Sequence, residues 1–311
     1  MRVTFLGTAA AEGVPQLWCR CDNCRVARER GGRHVRCRTA TLINDDLLID
    51  AGPDLAPSAG RLGLDLSAVR ALLITHPHYD HLDAASLRDR GRYWGGTALP
   101  PLTIYGSRAS LDQLAQRSDA AALRYDAHPI APFGPVVVST GGAAVADPRL
   151  PRAAPFPATP ARRYELWPLA AAHAQPDDEA MLFAIRQIAG PEVMAGREPA
   201  ALLYATDTGP FPAATWAALA DLGARGVRFG AAVVDATFGT GLDLKDASAH
   251  MTLVQMIAVQ RELARRGLLT VDVQRLAIHF SHYFTPPHDE LVALLAPEGI
   301  RPAYDGLTLT L

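Results

Sequence analysis

The nine residues THPHYDHLD, positions 75 to 83, place three imidazoles and a carboxylate within six residues: His76, His78, Asp80 and His81. A solvated surface loop has no need of such a density of donors. A divalent metal does, because neutral imidazole and ionised carboxylate are its ordinary ligands. The run follows directly on the apolar segment ALLI, and in an extended chain residues two apart share a face, so His76 and His78 can converge on one ion. Asp80 and His81 lie past the strand, where the chain turns, and can address a second ion nearby. Four groups do not complete two coordination shells. Further donors stand at His173, just after RYELWPLA, at Asp207, which ends ALLYATD, and at His279, within RLAIHFS. Each sits at or just past an apolar strand, where neighbouring strands of a sheet would bring their ends together.

A second concentration is WCRCDNC, which holds Cys19, Cys21 and Cys24, three of the chain's four cysteines. Three thiols close no disulfide set; a redox pair and a metal site with a fourth ligand from elsewhere are the readings open to them. The apolar run at the start of MRVTFLGTAAAEG is too short for a signal segment, and no stretch approaches the length of a membrane span. A cytoplasmic location is therefore expected, without a membrane partner, and there clustered cysteines stay reduced and serve metals. Cys37 stands alone before a strand and reads as a small buried residue.

The elements that must position these groups are mostly strands. Apolar runs at 2–7, 39–44, 46–52, 71–76, 102–106 and 135–140 form one set, and runs at 163–170, 181–187, 201–207, 231–238, 275–281 and 307–311 a second. Alternation with longer mixed stretches is the pattern of an α/β or α+β sheet protein. Helical spacing marks 249–267, stopped by Gly267, and a further helix is expected over 287–299 behind Pro287. The Ala- and Pro-rich stretch 141–162 has no periodicity and reads as a long loop. With no repeat and no shift in composition, residues 1–311 are expected to form a single domain.

At 311 residues and 49% apolar content the chain can bury a large core, and its net charge of −2, from 30 basic and 32 acidic side chains, supplies no broad basic surface. Nucleic acid is therefore not an expected partner. Asp50, in LLIDAG, reads as structural, fixing the turn below the metal ligands. His34, His128 and His288 read as surface or core histidines. Arg88, Arg90 and Arg92 could steer an anion, but an exposed face explains them equally well.

HxHxDH followed in order by a lone His, a lone Asp and a last His resembles the metallo-β-lactamase superfamily. The resemblance implies a four-layer αβ/βα sandwich with a binuclear metal site at one edge, between two sheets. Carried over by position, His76, His78 and His173 would hold the first ion, Asp80, His81 and His279 the second, and Asp207 would bridge them. GTAAAEGVPQLWCRCDNC together with AIHFSH is similar to the phosphodiesterases of the carbon-phosphorus lyase pathway. There a CxCxxC cluster and a histidine three residues past the last active-site His bind an extra zinc. Here that histidine is His282, so Cys19, Cys21, Cys24 and His282 would form a closed structural zinc site.

The implied activity is hydrolysis of small, cyclic or nucleotide-like phosphodiesters by a metal-bridging hydroxide, with two catalytic divalent ions, zinc or manganese. Two such ions, less the charges of Asp80, Asp207 and hydroxide, leave about +1 for a phosphodiester anion. His250, in the turn before the long helix, is the candidate to assist the leaving group, and with Asp80 it is assigned to catalysis. A homodimer is the implied assembly. The same start also resembles an accessory protein of pyrroloquinoline quinone biosynthesis. Hydrolysis of a thioester, a lactone or an RNA 3′ end, or such an accessory role, are the alternatives.

Overall fold

The computed structural model describes residues 1–91, 99–143, 158–173, 179–193, 199–241 and 248–311. Two seven-stranded mixed sheets face each other. The first contains β1 (Arg2–Gly7), β2 (Ala40–Ile43), β3 (Leu47–Ile49), β4 (Ala71–Leu73), β5 (Leu102–Gly106), β6 (Tyr125–Pro129) and β14 (Thr308–Thr310), in the order 14-1-2-3-4-5-6. The second contains β7 (Val136–Gly142), β8 (Thr159–Ala170), β9 (Met181–Ala189), β10 (Ala201–Ala205), β11 (Phe229–Asp235), β12 (Leu269–Ile278) and β13 (Arg301–Pro302), in the order 13-12-11-10-9-8-7. Strands β3 to β6 run parallel in the first sheet, and β10 to β13 in the second.

The sheets share one apolar interior, in which Phe5, Ile49 and Leu73 of the first meet Phe183, Tyr204 and Ile278 of the second. Helices α2 (Leu55–Leu62) and α3 (Arg108–Arg117) cover the outer face of the first sheet, with Leu111 and Leu114 packed with Leu72 and Ile104. On the second sheet, α5 (Ala213–Ala224), α6 (Leu253–Arg265) and α7 (His288–Leu295) lay Leu219, Met256, Leu263 and Leu291 over Leu203, Ala232 and Ala277. Helix, sheet, sheet, helix is the four-layer αβ/βα sandwich expected. Because helices cover one face and the opposite sheet the other, β10 and β11 are buried throughout, which is why ALLYA and FGAAVVD are apolar without alternation.

Strands β3, β10 and β12 stop at Ile49, Ala205 and Ile278, short of the runs 46–52, 201–207 and 275–281. The reason is the same each time. The backbone enters the left-handed region at Asp50 (φ 63°), Asp207 (φ 50°) and His279 (φ 65°), which ends the ladder and swings the side chain off the strand. Such a conformation costs a non-glycine residue about 1–3 kcal/mol and persists only where the surroundings impose it.

Other boundaries also move. The helix expected from 249 begins at Leu253, because Thr252 and Gln255 close a capping box there, and this leaves His250 on the approach to the helix. The second predicted helix ends at Leu295 and tightens into a 3₁₀ turn over Ala296–Glu298, where Pro297 cannot donate an N–H to continue it. Residues 141–142 and 159–162 of the expected loop belong to β7 and β8; 144–157, like Arg92, lie outside the described residues. Strand β6 was not expected, since YDAHP is exposed after its first residue. Among the described residues no helix is long and apolar enough to cross a membrane.

Candidate metal centres

The carboxyl ends of β3, β4, β8, β10, β11 and β12 meet at one edge of the sandwich, and each is followed or ended by a polar residue of the site. His76, His78 and His173 present ring nitrogens within 4.8 Å of one another. Asp80, His81 and His279 form a second such set, and the Asp207 carboxylate joins both, grouped with His76 and His81 and 3.0 Å from Nε2 of both His81 and His279. His78 faces this cluster through Nδ1, which lies 3.2 Å from Nε2 of His173. The seven residues singled out in the sequence thus converge.

Four of the five rings are oriented from behind. His81 Nδ1 donates to Asp50 (2.7 Å), and Asp50 in turn accepts from the N–H and hydroxyl of Thr75. His279 Nδ1 meets Thr237 Oγ1 at 2.8 Å, His76 Nδ1 meets Thr75 Oγ1 at 3.1 Å, and His173 Nδ1 donates to the Ala249 carbonyl. These contacts aim the opposite nitrogens inward, where Nε2 of His76 is buried with no hydrogen-bond partner and Nε2 of His81 and His279 faces the Asp207 and Asp80 carboxylates. An orphaned buried acceptor such as His76 Nε2 carries a desolvation cost of about 1–3 kcal/mol, and a cation would remove it. The residues present therefore fit two divalent ions. Gly52 supports the arrangement, because a Cβ there would meet the Asp80 carbonyl at 1.9 Å and push the ligand loop away.

The charges at the cluster show the same tension. Burial opposes ionisation of Asp207, but the rings of His279 and His81 hold its carboxyl well below the usual range. Burial likewise opposes protonation of His279, yet Asp207 and Asp80 push it up to about 10. His76 is driven the other way, well below its ordinary value, by burial and by the neighbouring His81. Bound cations invert this pattern, since they require every imidazole neutral.

His250 stands beside the cluster, its ring 5.1 Å from that of His173 and its Nδ1 4.0 Å from Asp207. Nδ1 also approaches Asp235 (3.4 Å) and Thr237 (3.2 Å), which leaves Nε2 as the nitrogen not turned toward these groups. Burial lowers its proton affinity, but Asp235 outweighs that and raises it. Asp235 is the residue that reading the sequence missed. It ends β11, fully buried, and also accepts from Thr237 and from the Met251 N–H. The signal was present: AAVVDATF, like ALLYATD, ends an apolar strand on a carboxylate.

The thiols gather separately. Cys19, Cys21, Cys24 and His282 lie within 4.8 Å of one another through their sulfur and ring atoms, with Cys21 Sγ 3.6 Å from His282 Nδ1. The other ring nitrogen of His282 faces Glu12 at 3.8 Å, and Glu12 also accepts from Ser281. Backbone N–H groups of Cys21 and Gln16 point at Cys19 and Cys24 sulfurs. The Cys21 amide lowers the Cys19 thiol, while burial pushes Cys24 up to about 12. Helix α1 (Asp22–Arg30) carries Cys24 and Asn23, whose amide donates to the Thr285 carbonyl, and Ala9 and Ala10 pair with Phe280. The thiol loop is thereby stitched to the segment that bears His279. Cys37 stays outside the cluster, half-buried rather than buried.

The remaining expectations fall out simply. Asp50 is a positioning group behind His81, His34 and His288 are buried against Arg36 and α7, and His128 is exposed beside Tyr105. Arg88 is exposed, and Arg90 donates to the Pro100 carbonyl rather than facing the cluster.

A family model described as a β-lactamase superfamily domain matches residues 46–272, which takes in the HxHxDH run, His173 and Asp207. The chain belongs to the metallo-β-lactamase superfamily. Within it, coenzyme PQQ synthesis protein B of Methylobacterium radiotolerans is 37% identical over 127 residues, 37% of this chain and 40% of that relative. Among solved structures, a diphosphatase of the PhnP family superposes with a TM-score of 0.66 at 20% identity, covering 100% of this chain and 97% of the other. Zinc-bound PqqB from Methylobacterium extorquens superposes at 0.64 and 19% identity, with both chains covered fully. At these identities the superpositions speak for the fold.

Proposed function

We propose that the chain is a metal-dependent phosphodiesterase acting on small, cyclic or nucleotide-like phosphodiesters. The observation that carries this reading is His250, held by Asp235 and Thr237 beside a complete set of seven metal donors. When bound by His76, His78, His173, Asp80, His81, His279 and Asp207, a pair of divalent ions supplies a nucleophile at neutral pH and positive charge for the transition state.

The chain's own residues do the rest. Asp50, Thr75, Thr237 and the Ala249 carbonyl fix the ring orientations, so that no reorganisation is needed when charge develops. Asp235 keeps a proton on Nδ1 of His250 and raises the affinity of the ring for a second one on Nε2, which suits it to act as an acid. The leaving oxygen takes that Nε2 proton as its bond to phosphorus breaks. A Cys3His set has no open position, so the thiol cluster is assigned a structural zinc that clamps residues 8–24 to the segment after β12.

A protein of this fold is a diphosphatase of the PhnP family, and that phosphorus chemistry supports the reading. The match to PQQ synthesis protein B favours a second one, an accessory role in coenzyme synthesis. One assay separates them. Protein loaded with Mn²⁺ or Zn²⁺ is expected to hydrolyse bis(p-nitrophenyl) phosphate and 2′,3′-cyclic nucleotides faster than thioesters or lactams. No turnover of any of these, with binding of a quinone precursor, would transfer support to the accessory role.

A further inference from the structure

Outward from His250 the surroundings become aromatic. Its ring lies edge to face with Phe238, centroids 5.2 Å apart; Phe238 meets Phe284 at 5.3 Å, and Phe284 meets Tyr283 at 5.1 Å with the two planes at 90°. The row begins half-buried at His250 and ends at Tyr283, which is 71% exposed. The backbone beneath Tyr283 is held firmly. His282, the residue before it, belongs to the thiol cluster; Asn23 donates to the carbonyls of His282 and Thr285, and Thr240 donates to that of Phe284. A ring on a clamped backbone loses little further freedom on stacking against a ligand, which favours binding.

The oxygen that His250 protonates belongs to the leaving group, so the leaving group must lie against the next side chains out. Among the described residues the aromatic row there is Phe238, Phe284 and Tyr283, uncharged rings set at steep angles that offer faces and edges to another planar ring. A nucleobase is one sugar ring away from the 2′ and 3′ oxygens of its nucleoside, comparable to the one-ring step from His250 to Phe238. We infer that Phe238, Phe284 and Tyr283 form a stacking subsite for the base of a nucleoside leaving group, making base-bearing phosphodiesters the preferred substrates. The inference rests on the phosphodiesterase reading and names its substrate class.

The test compares adenosine 2′,3′-cyclic phosphate with methyl riboside 2′,3′-cyclic phosphate, which lacks the base, on the metal-loaded full chain. The expected result is a kcat/KM about tenfold higher for the adenosine substrate, carried mainly by KM, as stacking on one aromatic ring supplies. Tyr283→Ala and Phe284→Leu should each bring that ratio toward one with zinc content retained, and Tyr283→Phe should restore it. A ratio near one in the unsubstituted protein, or one that survives both substitutions, overturns the subsite while leaving the phosphodiesterase reading standing. Hydrolysis of neither substrate overturns both.

Discussion

The thiol cluster takes three of its four groups from six consecutive residues where a loop runs into α1, whereas the imidazole and carboxylate cluster collects seven groups from residues 76–81, 173, 207 and 279. Cys19, Cys21 and His282 remain partly open to solvent; His76, Asp80, His81, Asp207 and His279 are buried. The first cluster therefore depends on local chain geometry and one distant histidine, and the second on both sheets being packed. Their backing differs as well. Sulfur ligands carry full charge when metallated and are steadied by two backbone N–H groups, but each neutral imidazole needs a partner on its far side to choose its nitrogen. A cluster without an open position can only hold the fold together. One ringed by second partners and flanked by His250 can also do chemistry.

This contrast can be broken most severely at Asp207, which touches both donor sets. Asp207→Ala should lower kcat for bis(p-nitrophenyl) phosphate by about 10³-fold or more, since several kcal/mol of charge stabilisation leave with the ions. Its content of catalytic metal, measured by elemental analysis, should fall with it. His250→Ala is expected to cost about 10²-fold in kcat with metal content unchanged, the range for loss of one general acid. Asp235→Asn sharpens that assignment. Because Asp235 raises the affinity of His250 for its proton, the acid form persists to higher pH in the unsubstituted protein, and kcat falls as pH rises through that value. Removing the carboxylate should move this alkaline limb of the kcat profile down toward pH 6.5; an unmoved limb would detach Asp235 from the reaction.

The smallest effect on turnover is expected in the other cluster. Cys21→Ser should remove one zinc per chain and lower the melting temperature by about 5–10 °C, as a lost structural metal does, while kcat stays within about tenfold. A collapse of kcat with the melting point unchanged would contradict the separation of roles.

How much of this could be read from the sequence follows from how each feature is encoded. Metal donors announce themselves by residue type, so His76 to His81 stood out within one strand end, and His173, Asp207 and His279 by their places after apolar runs. Strand runs were equally visible where burial on both faces demands unbroken apolar residues, as in β10 and β11. Hidden features were those set by backbone shape or by partners far along the chain. Nothing in LLIDAG or RLAIHFS says that Asp50 and His279 will turn left-handed and end their strands, because that conformation is imposed by tertiary contacts. Asp235 looked like any strand-end acid until His250, fifteen residues later, was seen against it. Helices α1, α2, α3, α4 (Ala120–Leu123) and α5 also escaped notice. Helix α1 has only Asn23, Cys24, Val26 and Ala27 buried, too little apolar surface to show a period, while α5 is rich in alanine on all sides.

The most direct test is a crystal structure of metal-replete protein with anomalous scattering recorded at the zinc and manganese edges. The account predicts two neighbouring ions among His76, His78, His173, Asp80, His81, His279 and Asp207, and a third among Cys19, Cys21, Cys24 and His282. Well-folded, metal-replete crystals with no ion at the strand-end cluster would contradict it.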